Sequence, residues 1–226
     1  MAMKRVLAFC VDKYFRLWIR NEPILDKSQL FPQGQAFEDS WQQIREEVGH
    51  YLESKWQQVP EFSQVDAHQY DIANTDSHKW KTAIVKMYGV YMNESISPTL
   101  IRLVRENDQT ISSALISCME AGKDVPIHKG PNKGVMRYHL PLFVDSGECF
   151  LTIDGQRVDL TEGSGLLWDD AFPHGASNFT PSTRVVLLLD VKRRLPWHLN
   201  WLYERILAAL RQTEEFKEAV RKAQIQ

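Results

Sequence analysis

Two histidines and two arginines at matching intervals are the residues of this chain best suited to chemistry. His128 lies in Pro126-Ile127-His128-Lys129-Gly130-Pro131, and Arg137 follows nine residues later. His174 lies in Trp168-Asp169-Asp170-Ala171-Phe172-Pro173-His174, and Arg184 follows ten residues later. Two imidazoles can hold a divalent metal, and two guanidinium forks can hold a dianion beside it. Oxygen chemistry at a metal with open coordination positions points to iron, so the pattern suggests a non-haem iron enzyme with a dicarboxylate co-substrate. The common form of such a site adds a carboxylate two residues after the first histidine, where this chain has Gly130. Either another carboxylate completes the shell, Asp169 and Asp170 being nearest in sequence, or water does. Both aspartates suit a turn cap or loop support equally well.

The arginines stand in otherwise apolar runs, Val135-Met136-Arg137-Tyr138-His139-Leu140 and Arg184-Val185-Val186-Leu187-Leu188-Leu189. A charge inside such a strand is costly unless it is paired. Arg184 fits either an exposed strand start or a fork that grips a carboxylate at two points. Arg137 and His139 are two apart and share one face of their strand, with Tyr138 on the other.

The elements that must position these groups change character along the chain. The first ~110 residues read mostly as helices and loops. Phe37, Trp41, Ile44, Val48, Tyr51 and Leu52 fit one face of a helix spanning 37–56. The polar stretch 57–76, containing Pro60, reads as a loop; 83–88 is a short strand; Ser97-Pro98-Thr99 marks a helix start. From Ile111 onward short β-prone runs alternate with turns, at 112–119, 135–143, 148–153, 165–168 and 184–191. Each histidine opens a further segment that reads as a strand. Asp154-Gly155 is a hairpin signal, and Gly163-Ser164-Gly165 marks another turn. The expected architecture is one domain over residues 1–226: a helical elaboration over 1–110, a jelly-roll core of about eight strands over 111–192 holding the metal site, and a C-terminal helix over 193–226. In that last helix Trp197, Trp201, Leu202, Ile206 and Leu210 mark an amphipathic face.

Composition sets outer limits. Hydrophobic residues make up 43% of the 226 and charged residues 25%, enough for a sizeable core under a soluble surface. A net charge of -2 with no dense Lys/Arg field argues against a nucleic-acid partner. Cys10, Cys118 and Cys149 are odd in number and in no paired spacing, so a reducing cytoplasm is expected and any metal must rest on histidine and oxygen ligands. The apolar run near the N-terminus is too short and too soon charged for a signal or a span. Contact with a membrane surface stays open. Lys4, Arg5, Lys13, Arg16 and Arg20 interleave with Phe9, Tyr14, Phe15, Leu17 and Trp18, and the stretch after Pro196 is rich in tryptophan. Whether these two ends meet, and whether the chain self-associates, is not written in the sequence.

Together, His128-Lys129-Gly130-Pro131, Arg137-Tyr138-His139-Leu140, Asp169-Asp170-Ala171-Phe172-Pro173-His174 and Arg184-Val185 resemble the aspartyl/asparaginyl β-hydroxylase family. That resemblance implies an iron(II)- and 2-oxoglutarate-dependent dioxygenase on a double-stranded β-helix, a cupin-like jelly roll. It implies His128 and His174 as iron ligands and Arg184 and Arg137 as partners of the 2-oxoglutarate carboxylates, with His139 and Ser117 as further co-substrate contacts. It makes O2 the oxidant, ascorbate a supportive reductant in vitro, and water the completing ligand where Gly130 stands. A second branch of the family hydroxylates lipid acyl chains, and 41–47, Trp80-Lys81, 86–89, 136–140 and the tail after Pro196 resemble that branch. Aspartyl hydroxylases place an arginine for the substrate carboxylate where this chain has Val135, whereas the lipid enzymes tend to have aspartate where it has Gly130. The substrate is therefore a small molecule, an Asp/Asn-type residue or an acyl chain. A cupin-like protein that binds metal and 2-oxoglutarate without turnover, and a cupin isomerase or hydrolase using zinc or another divalent metal, are the alternatives.

Overall fold

The computed structural model describes residues 13–66, 70–130, 133–145 and 147–225. Met1–Asp12, with Lys4, Arg5, Phe9 and Cys10, and Pro131 lie outside the described residues.

Two antiparallel sheets face each other as a double-stranded β-helix. The strands are β1 (Ile24–Leu25), β2 (Trp80–Met87), β3 (Val90–Tyr91), β4 (Ile111–Met119), β5 (Asp124–His128), β6 (Val135–Phe143), β7 (Cys149–Ile153), β8 (Gln156–Asp159), β9 (Leu166–Trp168), β10 (His174–Asn178) and β11 (Arg184–Lys192). The large sheet runs β1-β9-β6-β11-β4-β2-β3 and the small one β5-β10-β7-β8. The helices are α1 (Lys27–Leu30), α2 (Gly34–Asp39), α3 (Trp41–Lys55), α4 (Phe62–Val65), α5 (Tyr70–Ala73), α6 (Pro98–Glu106), α7 (Trp197–Arg211) and α8 (Glu214–Ala223).

Period-two alternation gives the long strands two different faces. On the convex face of the large sheet, Met136, Tyr138, Leu140 and Leu142 of β6 and Val185, Leu187, Leu189 and Val191 of β11 pack with Phe37, Ile44, Val48 and Leu100 from α2, α3 and α6. Tyr138 donates its hydroxyl to Glu38 at 2.9 Å, so the polar tip of that buried ring is satisfied. Between the sheets a smaller core joins Cys149, Leu151 and Ile153 of β7 to Trp168 and Val186. At one end of the concave face, α8 sets Ala223 against Ile84, Leu115 and Leu188.

Local signals explain several elements. Ser97 caps α6 by accepting from Leu100 N at 3.0 Å, and Pro98 occupies its first turn, where a missing N–H costs nothing. Asp154 and Gly155 both take positive φ, 49° and 79°, the primed turn that matches strand twist, and pair Ile153 with Gln156 across it.

The structure departs from expectation in five places. Strands β1–β3 come from before residue 110, and β2 is a full member of the large sheet, so that region is more than a helical wrapping. The helix expected over 37–56 breaks at Ser40, whose ψ of 6° is not helical. The stretch 57–76 holds two short helices; α4 begins where Gln64 accepts from Glu61 N at 3.0 Å, a local cap that Pro60 and the polar composition obscured. The C-terminal region is two helices, split before Thr213, which caps α8 by accepting from Phe216 N at 3.2 Å. The face that α7 buries carries Leu199, Tyr203 and Leu207, while Trp197 and Trp201 point outward.

Candidate functional site

His128 closes β5 rather than opening a strand, and His174 opens β10. Because the two strands are antiparallel, this places the residues directly opposite each other in the ladder. Pro126 is tolerated in β5 because that strand is an edge of its sheet. The ring centroids stand 4.1 Å apart. Each ring is fixed in the same way: His128 Nδ1 lies 2.8 Å from the Pro126 carbonyl and His174 Nδ1 lies 2.9 Å from the Phe172 carbonyl. A carbonyl only accepts, so Nδ1 carries the proton and Nε2 keeps a bare lone pair on both rings. Burial lowers the pKa of both, that of His174 to about 3 with His128 adding to the shift, which keeps the imidazoles neutral. Two neutral imidazoles with ring centroids 4.1 Å apart suit a transition metal. Among the described residues no third histidine, cysteine or carboxylate joins them as a potential ligand.

The opposing surface is the concave face of the large sheet. Pairing of Val186 with Ser117, Leu188 with His139, Asp190 with Arg137 and Arg184 with Met119 puts all these residues on it. Arg184 is 3% exposed and donates from Nη1 to Met119 Sδ at 3.1 Å. No carboxylate pairs with it among the described residues, and burial pulls its pKa down. A buried guanidinium without a counter-ion is expensive, so the position suits an incoming anion. His139 is buried with both ring nitrogens unpartnered, and burial together with Arg184 and Arg137 holds its pKa well below the usual range. Ser117 accepts from Trp80 Nε1 at 2.9 Å and keeps its own proton to donate.

Arg137 differs from Arg184. Its Nη2 donates to Asp170 Oδ2 at 2.8 Å, and its Nε lies 3.1 Å from Asp190 Oδ1 without hydrogen-bond alignment. The charge that the sequence suggested for a co-substrate is thus already matched by two carboxylates. Burial raises the pKa of Asp170 to about 6 against the pull of Arg137, with Asp190 and Asp169 adding to the rise. The neighbouring aspartate has another role. Asp169 is fully buried and meets Lys133 at 2.6 Å, Arg193 at 2.7 Å and Asn21 at 3.1 Å, which tie the segment before β1 and the chain after β11 to the barrel.

Asp170 also accounts for Gly130. A Cβ at position 130 would lie 2.4 Å from the Asp170 carboxyl carbon, and Gly130 N donates to the Asp170 carbonyl at 2.7 Å. The room for a side chain at that position is filled by the Asp170 carboxylate.

Trp168 and Asp190 were not singled out in the sequence. Trp168 lies 4.6 Å from the His174 ring and 5.4 Å from the His139 ring, bridging the two sheets, with its indole N–H unpartnered. Asp190 was legible, since 184, 186, 188 and 190 fall on one side of a strand. His139, Trp168 and Asp170 each keep a buried polar atom without a hydrogen-bond partner, and the His139 and Trp168 rings lie 5.4 Å apart.

A family model described as aspartyl/asparaginyl beta-hydroxylase matches residues 38–194. The ornithine lipid ester-linked acyl 2-hydroxylase of Rhizobium tropici is 33% identical over 187 residues, covering 81% of this chain and 64% of that protein. Human aspartate beta-hydroxylase domain-containing protein 2 is 29% identical over 153 residues, covering 63% of this chain and 38% of that protein. The chain therefore spans less than two thirds of the length of these relatives. Among solved structures, the cupin domain of Cnp3 from Schizosaccharomyces pombe aligns at 11% identity with a TM-score of 0.34, over 52% of this chain and 69% of that one, too distant to carry an argument.

Proposed function

Since the chain belongs to the aspartyl/asparaginyl β-hydroxylase family, we propose that it is an iron(II)- and 2-oxoglutarate-dependent hydroxylase acting on a lipid acyl chain. The observation that carries the reading is Arg184, a buried guanidinium with no carboxylate partner among the described residues, on the sheet face opposite a pair of histidines each held at Nδ1 by a backbone carbonyl. Bound iron would supply the oxygen chemistry, in which O2 and 2-oxoglutarate become succinate and CO2 while one oxygen atom enters a substrate C–H bond.

The chain's own residues position and shield. His128 and His174 hold the metal through Nε2. Arg184 grips a carboxylate of 2-oxoglutarate, with the Ser117 hydroxyl as a second donor. Neutral His139 offers one N–H and one acceptor between Arg184 and Arg137. A diacid reaches Arg137 only in competition with Asp170 and Asp190, so Arg184 takes the larger share of its charge. Trp168, Ile153 and Val186 wall the interior against water.

Two observations favour an acyl chain over an aspartyl residue. A relative that is 33% identical over 81% of this chain is an acyl 2-hydroxylase. Val135, where an aspartyl hydroxylase would have its carboxylate-binding arginine, is packed among Phe15, Leu199 and Tyr203. Gly130 does not weigh against the acyl reading, because Asp170 occupies its space. The buried free thiols Cys118 and Cys149 suit a reducing compartment, and we place the reaction in the cytoplasm.

The test is incubation with iron(II), ascorbate, 2-oxoglutarate and an ornithine lipid, following succinate and lipid mass. Succinate formed in step with one oxygen added to an acyl chain is expected. Bound 2-oxoglutarate with no succinate would make the protein a binding module, and oxygen appearing instead in an aspartyl peptide would move it to the other branch.

A further inference from the structure

Residues 13–20 and the stretch after Pro196, both aromatic and basic, meet. Residues 13–18 are helical and pack on α7, burying Phe15 with Leu199, Tyr203 and Leu207. His198 joins the segments, 4.9 Å from the Trp18 ring and 5.7 Å from the Trp197 ring.

The outer side of this junction is apolar. Leu17 is 71% exposed, Trp18 56%, Trp197 82% and Trp201 62%. On α7 the buried stripe repeats every four residues at 199, 203 and 207, which turns 197, 201 and 205 to the opposite side. The tryptophans are therefore presented by the same geometry that docks the helix. Exposed apolar groups gathered in one place mark an interaction surface.

Charge selects the partner. Residues 13–20 contain Lys13, Arg16 and Arg20 and no acid, and residues 194–203 contain Arg194 and no acid, Arg193 being turned inward to Asp169; the whole chain carries -2. Arg205 lies 6.0 Å over the Trp201 ring. Indoles favour the headgroup layer, where the ring is apolar and the N–H stays wet, and nearby cations are drawn to anionic lipid. Among the described residues no helix is long and apolar enough to cross a membrane. Val135, beneath the patch, precedes Arg137 by two residues in β6, so the patch borders the rim of the barrel.

We infer that this junction docks the protein on an anionic lipid bilayer, with Trp18, Trp197 and Trp201 in the headgroup layer and Arg20 and Arg194 against lipid phosphates. The inference rests on exposure and charge alone and is read without turnover, so its failure leaves the proposed chemistry standing, and the reverse holds.

The experiment is sedimentation of the full chain with vesicles of phosphatidylcholine and phosphatidylglycerol in a ratio of about three to one, and with phosphatidylcholine alone. The expected result is binding to the anionic vesicles only. Trp197→Ser with Trp201→Ser should weaken it about tenfold, and Arg20→Glu with Arg194→Glu by a similar factor, with the circular dichroism of both variants unchanged. Equal binding to neutral vesicles, or none to either, overturns the inference. A dimer by light scattering that the tryptophan substitutions split would also overturn it and make the surface a subunit interface.

Discussion

The two faces of the large sheet are built from the same strands and hold opposite contents. On the convex side β6 and β11 bury Tyr138, Leu140, Leu187 and Leu189 beneath helices, and the one polar tip, the Tyr138 hydroxyl, has Glu38. On the concave side the same strands bury His139, Arg184 and Asp190 and half-bury Arg137, and both His139 nitrogens lack a partner among the described residues. The first face supplies stability through apolar burial. The second carries charge that the chain does not fully match internally, which costs stability unless something binds there. Arg137 is held between two aspartates, whereas among the described residues no carboxylate pairs with Arg184, so the proposed anion site lies at Arg184 within that face.

This contrast can be broken from either side. The largest effect is expected from His174→Ala, which removes a first ligand: iron content should fall to background and succinate formation drop by at least about a thousandfold, while Tyr138→Phe on the far face leaves both unchanged. Full iron content in the alanine variant would contradict the metal site. Arg184→Gln should raise the 2-oxoglutarate requirement about a hundredfold with a smaller change in kcat, as expected when a charged pair to a bound diacid is lost; steady-state kinetics measure this. Leu187→Ala should act in the other way, lowering unfolding free energy by about 3 kcal/mol in denaturant while leaving that requirement alone.

A further effect is on pH. With metal removed, the unfolded chain takes up protons on its histidines below pH 6.5, while folded His174 resists protonation until about pH 3. Its contribution to stability is therefore full above pH 6.5 and lost as pH falls toward 3, on the order of a few kcal/mol. His174→Asn should flatten that part of the stability curve, and an unchanged curve would mean the ring is not held neutral.

Much of the site was legible because strand alternation and spacing act locally. Arg137 and His139 share a face as their two-residue offset requires, and Tyr138 faces away. What escaped depended on distant contacts. Nothing near Asp169 announces that it would tie Lys133, Arg193 and Asn21 together, while the adjacent Asp170 turns inward to Arg137. Gly130 reads in sequence as a missing ligand; only packing shows that another residue's carboxylate fills its space. The buried face of α7 was offset because tryptophans weigh as core residues in a hydrophobic pattern, whereas here they face outward.

The most direct test is calorimetric titration of 2-oxoglutarate into manganese(II)-loaded protein, a metal that suits the site without supporting turnover, beside the metal-free protein and Arg184→Gln. The account predicts tight binding only when metal and Arg184 are both present, with a loss of about a hundredfold in the variant. Equal affinity in the metal-free protein or in Arg184→Gln would contradict it.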